Sequence, residues 1–524
     1  MRKCWRLLFA ASLLGLLAPV LPVGVALADD ATVTGACSEA DFNAALDDAQ
    51  SNGGGTITFD CGAVTTIEFD GVKTIAAPNV VVIDGGGVME LSGQDLYQLF
   101  TVEEGATLEL RGITLRDGLA ENGGAVYNTG TLRIIGSELI GNRATDPDGG
   151  GGAVANIAPG TLTIIDTMLG ANRAPNGAAI VNSGHMTMTG STVRLNISSG
   201  TFAGGIANLG DATISSSTLS GNEAPLGGAI LNFGTMTLSD STLRGNGEGS
   251  LIGGGIYNLG DLTVTNSTLS SNHSQFGGAA VFSYGTGVVR LYSSTVAQNS
   301  TSSGLGAVDN SQGNTLILRQ TIVADQREGA DCYGTITSEG YNLDSDESCG
   351  LGATGDISGG NASLMPLQEN GGPTQTHMPN LDSDTVDAGG ANCPKTDQRG
   401  FYRPVGAACD IGAVELSMST FVLCANKATG AVIGVPGGQC PGTMTTIDTV
   451  AQDGLTFCIK GLTGEVTYAP RGNCPPTTWK HVLPADGDLL SCVHGATGKL
   501  RWVSDLARCS PAERLNFILA ADTA

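Results

Sequence analysis

The sequence predicts an all-β fold, a solenoid in which short strands stack in parallel. Three observations carry this. A unit of roughly 24 to 30 residues recurs from about Gly123 to Asn310 and reads approximately GGA-V/I-x-N-x-G-T-L-x-I-x-x-S-T-L-x-G-N. The strand-like pieces of each unit are rich in Thr, Val, Ile and Leu and alternate with period two. Glycine supplies 78 of 524 residues, too many for stacked α-helices. No single unit holds enough apolar surface for its own core, so neighbouring units must share one.

The apolar positions align without slippage. They are Leu132, Ile134 and Leu139, then Leu162, Ile164 and Leu169, then Met186, Met188 and Val193. Ala212, Ile214 and Leu219 follow, then Met236, Leu238 and Leu243, and Leu262, Val264 and Leu269. A step of two residues puts a pair on one strand face. The third position opens the next strand after a turn. Three strands per coil account for the period, and about eleven coils ~4.8 Å apart give a rod of roughly 50 Å.

Two asparagine series punctuate the coils. Asn142, Asn172, Asn196, Asn222, Asn246, Asn272 and Asn299 close one turn of the repeat. Asn128, Asn156, Asn182, Asn208, Asn232, Asn258 and Asn310 close another, with a break at Phe282. Asparagine tolerates left-handed backbone and bonds its neighbours, so both series are expected to form turns and stacked amide ladders. The pairs Gly123-Gly124, Gly204-Gly205, Gly227-Gly228 and Gly277-Gly278 read as sharp corners.

The ends suit the same plan. Residues 1–28 read as a secretory signal. Arg2, Lys3 and Arg6 precede an apolar run from Leu7 to Leu21, and Ala26 to Ala28 form a cleavage site. Residues 29–53 read as a capping segment, with Ser38 as N-cap of an amphipathic helix that buries Phe42, Leu46 and Ala49. Such a helix would cover the open end of the solenoid. The coils are assigned to 54–340 and a closing segment to 341–416. Residues 417–524 hold three copies of about 34 residues, marked by Cys424, Cys458 and Cys492 and by Thr-Gly turns.

Twelve cysteines remain beyond the signal, an even number in an exported chain, so disulfides are expected. The local pairing is Cys37–Cys61, Cys332–Cys349, Cys393–Cys409, Cys424–Cys440, Cys458–Cys474 and Cys492–Cys509. A zinc site is disfavoured, because no CxxC occurs and only His494 lies near a cysteine.

Charge narrows the partners. The chain holds 25 basic and 50 acidic residues. The signal carries three of the basic ones and the tail from residue 418 is balanced, so the net −25 of the chain becomes −28 in the body. That field disfavours nucleic acid, anionic membranes and polyanionic substrates. No apolar run long enough to span a bilayer follows the signal.

The GGA-I/V-x-N and S-T-L-x-G-N copies resemble the right-handed parallel β-helix proteins of the pectin-lyase-like superfamily. More narrowly they resemble bacterial exported proteins with repeats of the polymorphic outer membrane protein type. Those repeats usually have Phe three residues before the Asn, where this chain has Leu or Val. The segments Gly340 to Asp344, Pro366 to Thr374, Asp387 to Gly389, Asp397 to Gly400 and Cys409 to Glu415 are similar to the closing segment of choice-of-anchor β-helix proteins. The resemblance spans roughly residues 35 to 416. It implies a fold shared by polysaccharide lyases, hydrolases and adhesins, and it assigns no catalytic residue here.

The residues themselves offer little chemistry. Hydrolysis needs paired carboxylates and a lyase needs a base beside acidic calcium ligands. His185 reads as a loop residue. Arg194 and Arg244 share an offset two coils apart and Arg133 has another, so no basic stripe forms. Asp344, Asp346 and Glu347, Asp382 and Asp384, and Asp146 and Asp148 are acidic turns that calcium could take. The expectation is therefore no catalytic, cofactor-binding or metal residue. The protein is expected to be a secreted or surface-held monomer that binds glycan or another cell surface without catalysis. The alternative is a polysaccharide lyase or glycoside hydrolase. In that case Ser199 to Ala203, Glu248 to Ile252 and Ser300 to Gly304 would wall its cleft.

Overall fold

A computed structural model describes residues 30–416 apart from 36, 63, 64 and 381, and beyond 416 the backbone of nine strands. The body is a parallel β-solenoid of about twelve turns. Each regular coil has three faces. The first carries five-residue strands such as Thr131–Ile135, Thr161–Ile165 and His185–Thr189. After a two-residue bend the second carries three-residue strands such as Glu138–Ile140 and Met168–Gly170. The third carries Val126–Asn128, Val154–Asn156, Ile180–Asn182 and their successors in one eleven-stranded sheet.

Register is unbroken along the repeats. Leu132 pairs with Leu162, which pairs with Met186, Ala212, Met236 and Leu262 in turn. Val154, Ile180, Ile206, Ile230, Ile256 and Val281 do the same on the third face. The three inward rows meet in one core, with Leu132, Ile134, Leu139 and Val154 all fully buried. Each buried Leu or Ile contributes about 1.5–3 kcal/mol.

The asparagines form the expected ladders. Asn142 Nδ2 donates to Asn172 Oδ1 at 3.1 Å, and the chain continues through Asn196, Asn222, Asn246, Asn272 and Asn299 to Gln326 Oε1. The second ladder runs from Asn128 through Asn156, Asn182, Asn208 and Asn232 to Asn258. Two details differ from expectation. The left-handed residue is the one before each asparagine of the first series: Gly141 (φ 69°), Ala171 (53°), Leu195 (55°), Gly221 (61°). That residue turns the chain, which frees the asparagine to point inward and bond the neighbouring coil. The second series breaks at Ser283, which pairs with Asn258, because Phe282 stands opposite Tyr257 and faces outward.

A third ladder runs through the bend between the first two faces. Ser137, Thr167, Ser191, Ser217, Ser241, Ser267, Ser294 and Thr321 each accept the backbone N–H of the equivalent residue one coil earlier, which for Ser137 is Ile113. Each donates its hydroxyl two residues back, as Ser217 does to Ser215 O at 2.7 Å.

The ends are closed as the residues suggest. Strand Ala31–Thr34 pairs with Gly54–Asp60. Helix Glu39–Ser51 has Ser38 as N-cap with a reciprocal capping box to Asp41, and buries Phe42, Leu46 and Ala49. Phe42 packs on Phe69 at 5.2 Å. The bridges Cys37–Cys61, Cys332–Cys349 and Cys393–Cys409 are present. Beyond 416, Val422–Asn426, Thr456–Lys460 and Leu489–His494 each centre a three-stranded antiparallel sheet. The pairs Cys424–Cys440, Cys458–Cys474 and Cys492–Cys509 and the signal at 1–28 lie outside the described residues.

Candidate binding face and the closing strap

After its last rungs the chain turns back and lies along the second face. Gln398 is the clasp. Its Nε2 donates to Ser241 O and to the hydroxyls of Thr242 and Thr374, and its Oε1 accepts from Thr268 Oγ1 at 2.6 Å. Thr242 Oγ1 also donates to Gln375 O, and Ala413 N donates to Thr295 Oγ1. The outward threonines Thr242, Thr268 and Thr295 are thereby buried, while Thr192 and Thr218 at the same position stay partly open.

Within the strap lies a buried ionic knot. Arg403 donates to Asp410 O at 2.9 Å and Gly412 O at 2.6 Å, with Glu415 Oε2 at 3.7 Å. Arg399 pairs with Asp397 at 2.7 Å. Glu415 accepts the N–H groups of Val405 and Asp410, and Asp410 those of Asp387 and Leu416. Burial pushes the Asp410 carboxyl up to about 7 and raises Glu415 as well.

One arrangement here has the look of an activated nucleophile. Ser270 Oγ lies 2.9 Å from His377 Nε2, and His377 Nδ1 lies 2.7 Å from Met365 O. A hydroxyl, an imidazole and an orienting acceptor form the pattern of a serine hydrolase dyad. Yet Ser270 is fully buried beneath the strap, and His377, on the strap's inner side, is 1% exposed. No substrate carbonyl can approach Ser270, so the pair works as a clasp.

Four of the acidic-turn residues accept backbone N–H groups, and Asp382 accepts the Ser363 hydroxyl. Asp344 accepts Cys349 N, Asp346 accepts Ser348 N and Asp331 N, Asp384 accepts Asn361 N, and Asp146 accepts Asp148 N. Among the described residues no three His, Cys, Asp or Glu side chains converge as metal ligands would. His185 opens a first-face strand rather than sitting in a loop, and pairs with Asp211 at 3.1 Å. Arg133 is held by Glu109. The row Thr163, Thr187, Thr213, Thr237 and Thr263 gives the first face a regular hydroxyl surface.

The third face is different. Its outward row reads Tyr127, Ala155, Val181, Ala207, Leu231, Tyr257, Phe282, Asp309 and Tyr333. Leu209, Phe233, Leu259 and Tyr284 lie two residues on, and Phe202, Leu226 and Ile252 flank the other side in bridged register. Together they form a continuous apolar cluster over five coils, in which Ala207, Leu231 and Phe282 are buried and Leu209 is 53%, Phe233 45% and Tyr284 43% exposed. Tyr257 stacks on Phe282 at 5.3 Å and on Tyr284 at 6.4 Å, while Phe202 meets Phe233 edge to face at 6.3 Å. Two of the three irregular stretches, Ser199 to Ala203 and Glu248 to Ile252, contribute Phe202 and Ile252 to its margin. The third, Ser300 to Gly304, lies in the same coil as Asp309, just before the strand Val308–Asn310.

Of these aromatics only Phe282 stood out in the sequence, at the break in the second asparagine series, whose true position is Ser283. The usable signal was the x of V/I-x-N, outward by alternation, which reads Val181, Ala207, Leu231, Tyr257 and Phe282 in successive copies.

No family model matches the chain, and no curated protein matches it. Among solved structures it is similar to pectate lyase Pel9A, with 14% identity, a TM-score of 0.40, and coverage of 71% of this chain and 90% of that one. It is also similar to a tailspike protein of E. coli bacteriophage HK620 in complex with a pentasaccharide, with 14% identity, a TM-score of 0.31, and coverage of 61% and 74%. Likenesses of this size pass neither ligand nor activity to this chain.

Proposed function

We propose that this chain is an exported, non-catalytic binding scaffold whose working surface is the apolar third face from Val181 to Tyr284, and that its ligand is a glycan of an extracellular or cell-surface polymer. The observation that carries the reading is the patch itself. Monomeric proteins rarely leave a contiguous apolar surface of this kind open unless something docks there. Aromatic and aliphatic side chains suit the C–H faces of sugars, and tyrosine adds a hydroxyl at the rim. The net −28 of the body favours neutral over acidic polymers. Catalysis is disfavoured because the close Ser270–His377 pair is sealed and the neighbouring buried carboxylates serve backbone N–H groups.

The test is to incubate purified residues 29–524 with neutral and acidic polysaccharides and measure retention together with new chain ends. Retention on a neutral polymer without new ends is expected. New ends that require intact protein would replace this reading with an enzymatic one.

A further inference from the structure

We infer that Asp309 is the residue by which this face selects its ligand, its carboxylate bonding a hydroxyl of a neutral glycan laid along the solenoid axis. The inference rests on the glycan reading of the third face.

Asp309 occupies the next position of the outward row after Tyr257 and Phe282, and Tyr333 follows it. It is the one ionisable carboxylate in that row. Its residue is 1% exposed. Oδ1 accepts Ser311 N at 2.8 Å, and Oδ2 has no hydrogen-bond partner. Leaving a buried polar oxygen unsatisfied costs about 1–3 kcal/mol, more when it is charged. Nothing in the fold requires that cost, since an asparagine would keep the Ser311 bond. An acid that weakens the fold between buried Phe282 and exposed Tyr333 is placed for a ligand.

The surroundings make room for it. Gly277 lies against Oδ2, and a Cβ there would stand 2.4 Å from that oxygen. Leu305, partly exposed and next to left-handed Gly304, borders the same spot. A sugar hydroxyl reaches Oδ2 by displacing Leu305. The apolar row then supports the chain along the axis, one coil every ~4.8 Å, and Asp309 fixes its end. A carboxylate at that place rejects uronate and sulfate groups by charge, as does the anionic body.

The experiment compares wild type, Asp309→Asn and Phe233→Ser in residues 29–524, reading thermal melting and affinity for the neutral polymer that wild type retains. Asp309→Asn should melt no lower than wild type and bind about tenfold or more weakly. It should also lose part of the discrimination against an acidic polymer. Phe233→Ser should weaken neutral and acidic binding alike. Unchanged affinity in Asp309→Asn overturns the inference and leaves the face intact as a binding surface. A large fall in melting temperature also overturns it, because Asp309 would then be a structural residue. If wild type retains no neutral polymer at all, the glycan reading of the face fails, and this inference with it.

Discussion

Asn222 shows what a single side chain does in this molecule. Its Oδ1 accepts Asn196 N at 3.1 Å and Asn196 Nδ2 at 2.9 Å, while its Nδ2 reaches Val193 O and Asn246 Oδ1 at 3.0 Å each. Four bonds serve two neighbouring coils from a fully buried site. Asn222→Ala should therefore destabilise the body by about 2–4 kcal/mol in urea unfolding, because several buried groups lose partners at once. Thr213→Ala, on the open first face, should stay within about 0.5 kcal/mol. Asp410 makes a second residue-scale prediction. Its folded carboxyl sits near 7, above the ordinary aspartate value of 3.8. Between those values the folded state holds the extra proton, so stability falls as pH rises through that window. His377 acts oppositely, since burial lowers its value below 6.5 and its contribution is lost as pH falls through that region. Carboxyl and imidazole NMR titrations would separate the two. An Asp410 carboxyl titrating near 4 would contradict the first.

Among elements, the closing strap depends on a few polar contacts across long sequence distances. Arg403 is the centre of its knot, fully buried against Glu415 and Asp410. Arg403→Met would leave the buried Glu415 carboxylate without its cation and two buried carbonyls without their donor, a loss of about 3–5 kcal/mol. Limited proteolysis should then cut residues 361–416 while the coils resist. Cutting in the coils first would mean that the strap is not a separate unit of stability. This element also marks where sequence reading ran out. The coils were legible because the same offsets recur, so Leu132, Ile134 and Leu139 announce their partners. The capping helix was legible from Ser38 and Asp41. The path of the strap was not, because Gln398 meets Thr242 across 156 positions without any repeating pattern. The hydroxyl ladder was hidden for another reason. Ser217 and its equivalents read as turn residues, and only stacking turns each hydroxyl into an acceptor for its neighbour.

At the scale of the whole molecule, function comes from what the rows display. The same inward pattern repeats through the coils, whereas the outward rows differ: hydroxyls on the first face, a strap over part of the second, apolar and aromatic side chains on the third. The apolar patch has no consensus in sequence, since Leu209, Phe233, Tyr257 and Tyr284 belong to different copies and become neighbours only when the copies stack. The most direct measurement is affinity electrophoresis of residues 29–524 through gels holding a neutral polysaccharide, comparing wild type with the double variant Phe233→Ser, Tyr284→Ser. Both side chains are more than two-fifths exposed, so melting should change little. Wild type should be retarded and the double variant should run freely. Equal retardation of the two, at equal melting temperature, would show that the glycan is held elsewhere and that the third face is not the working surface.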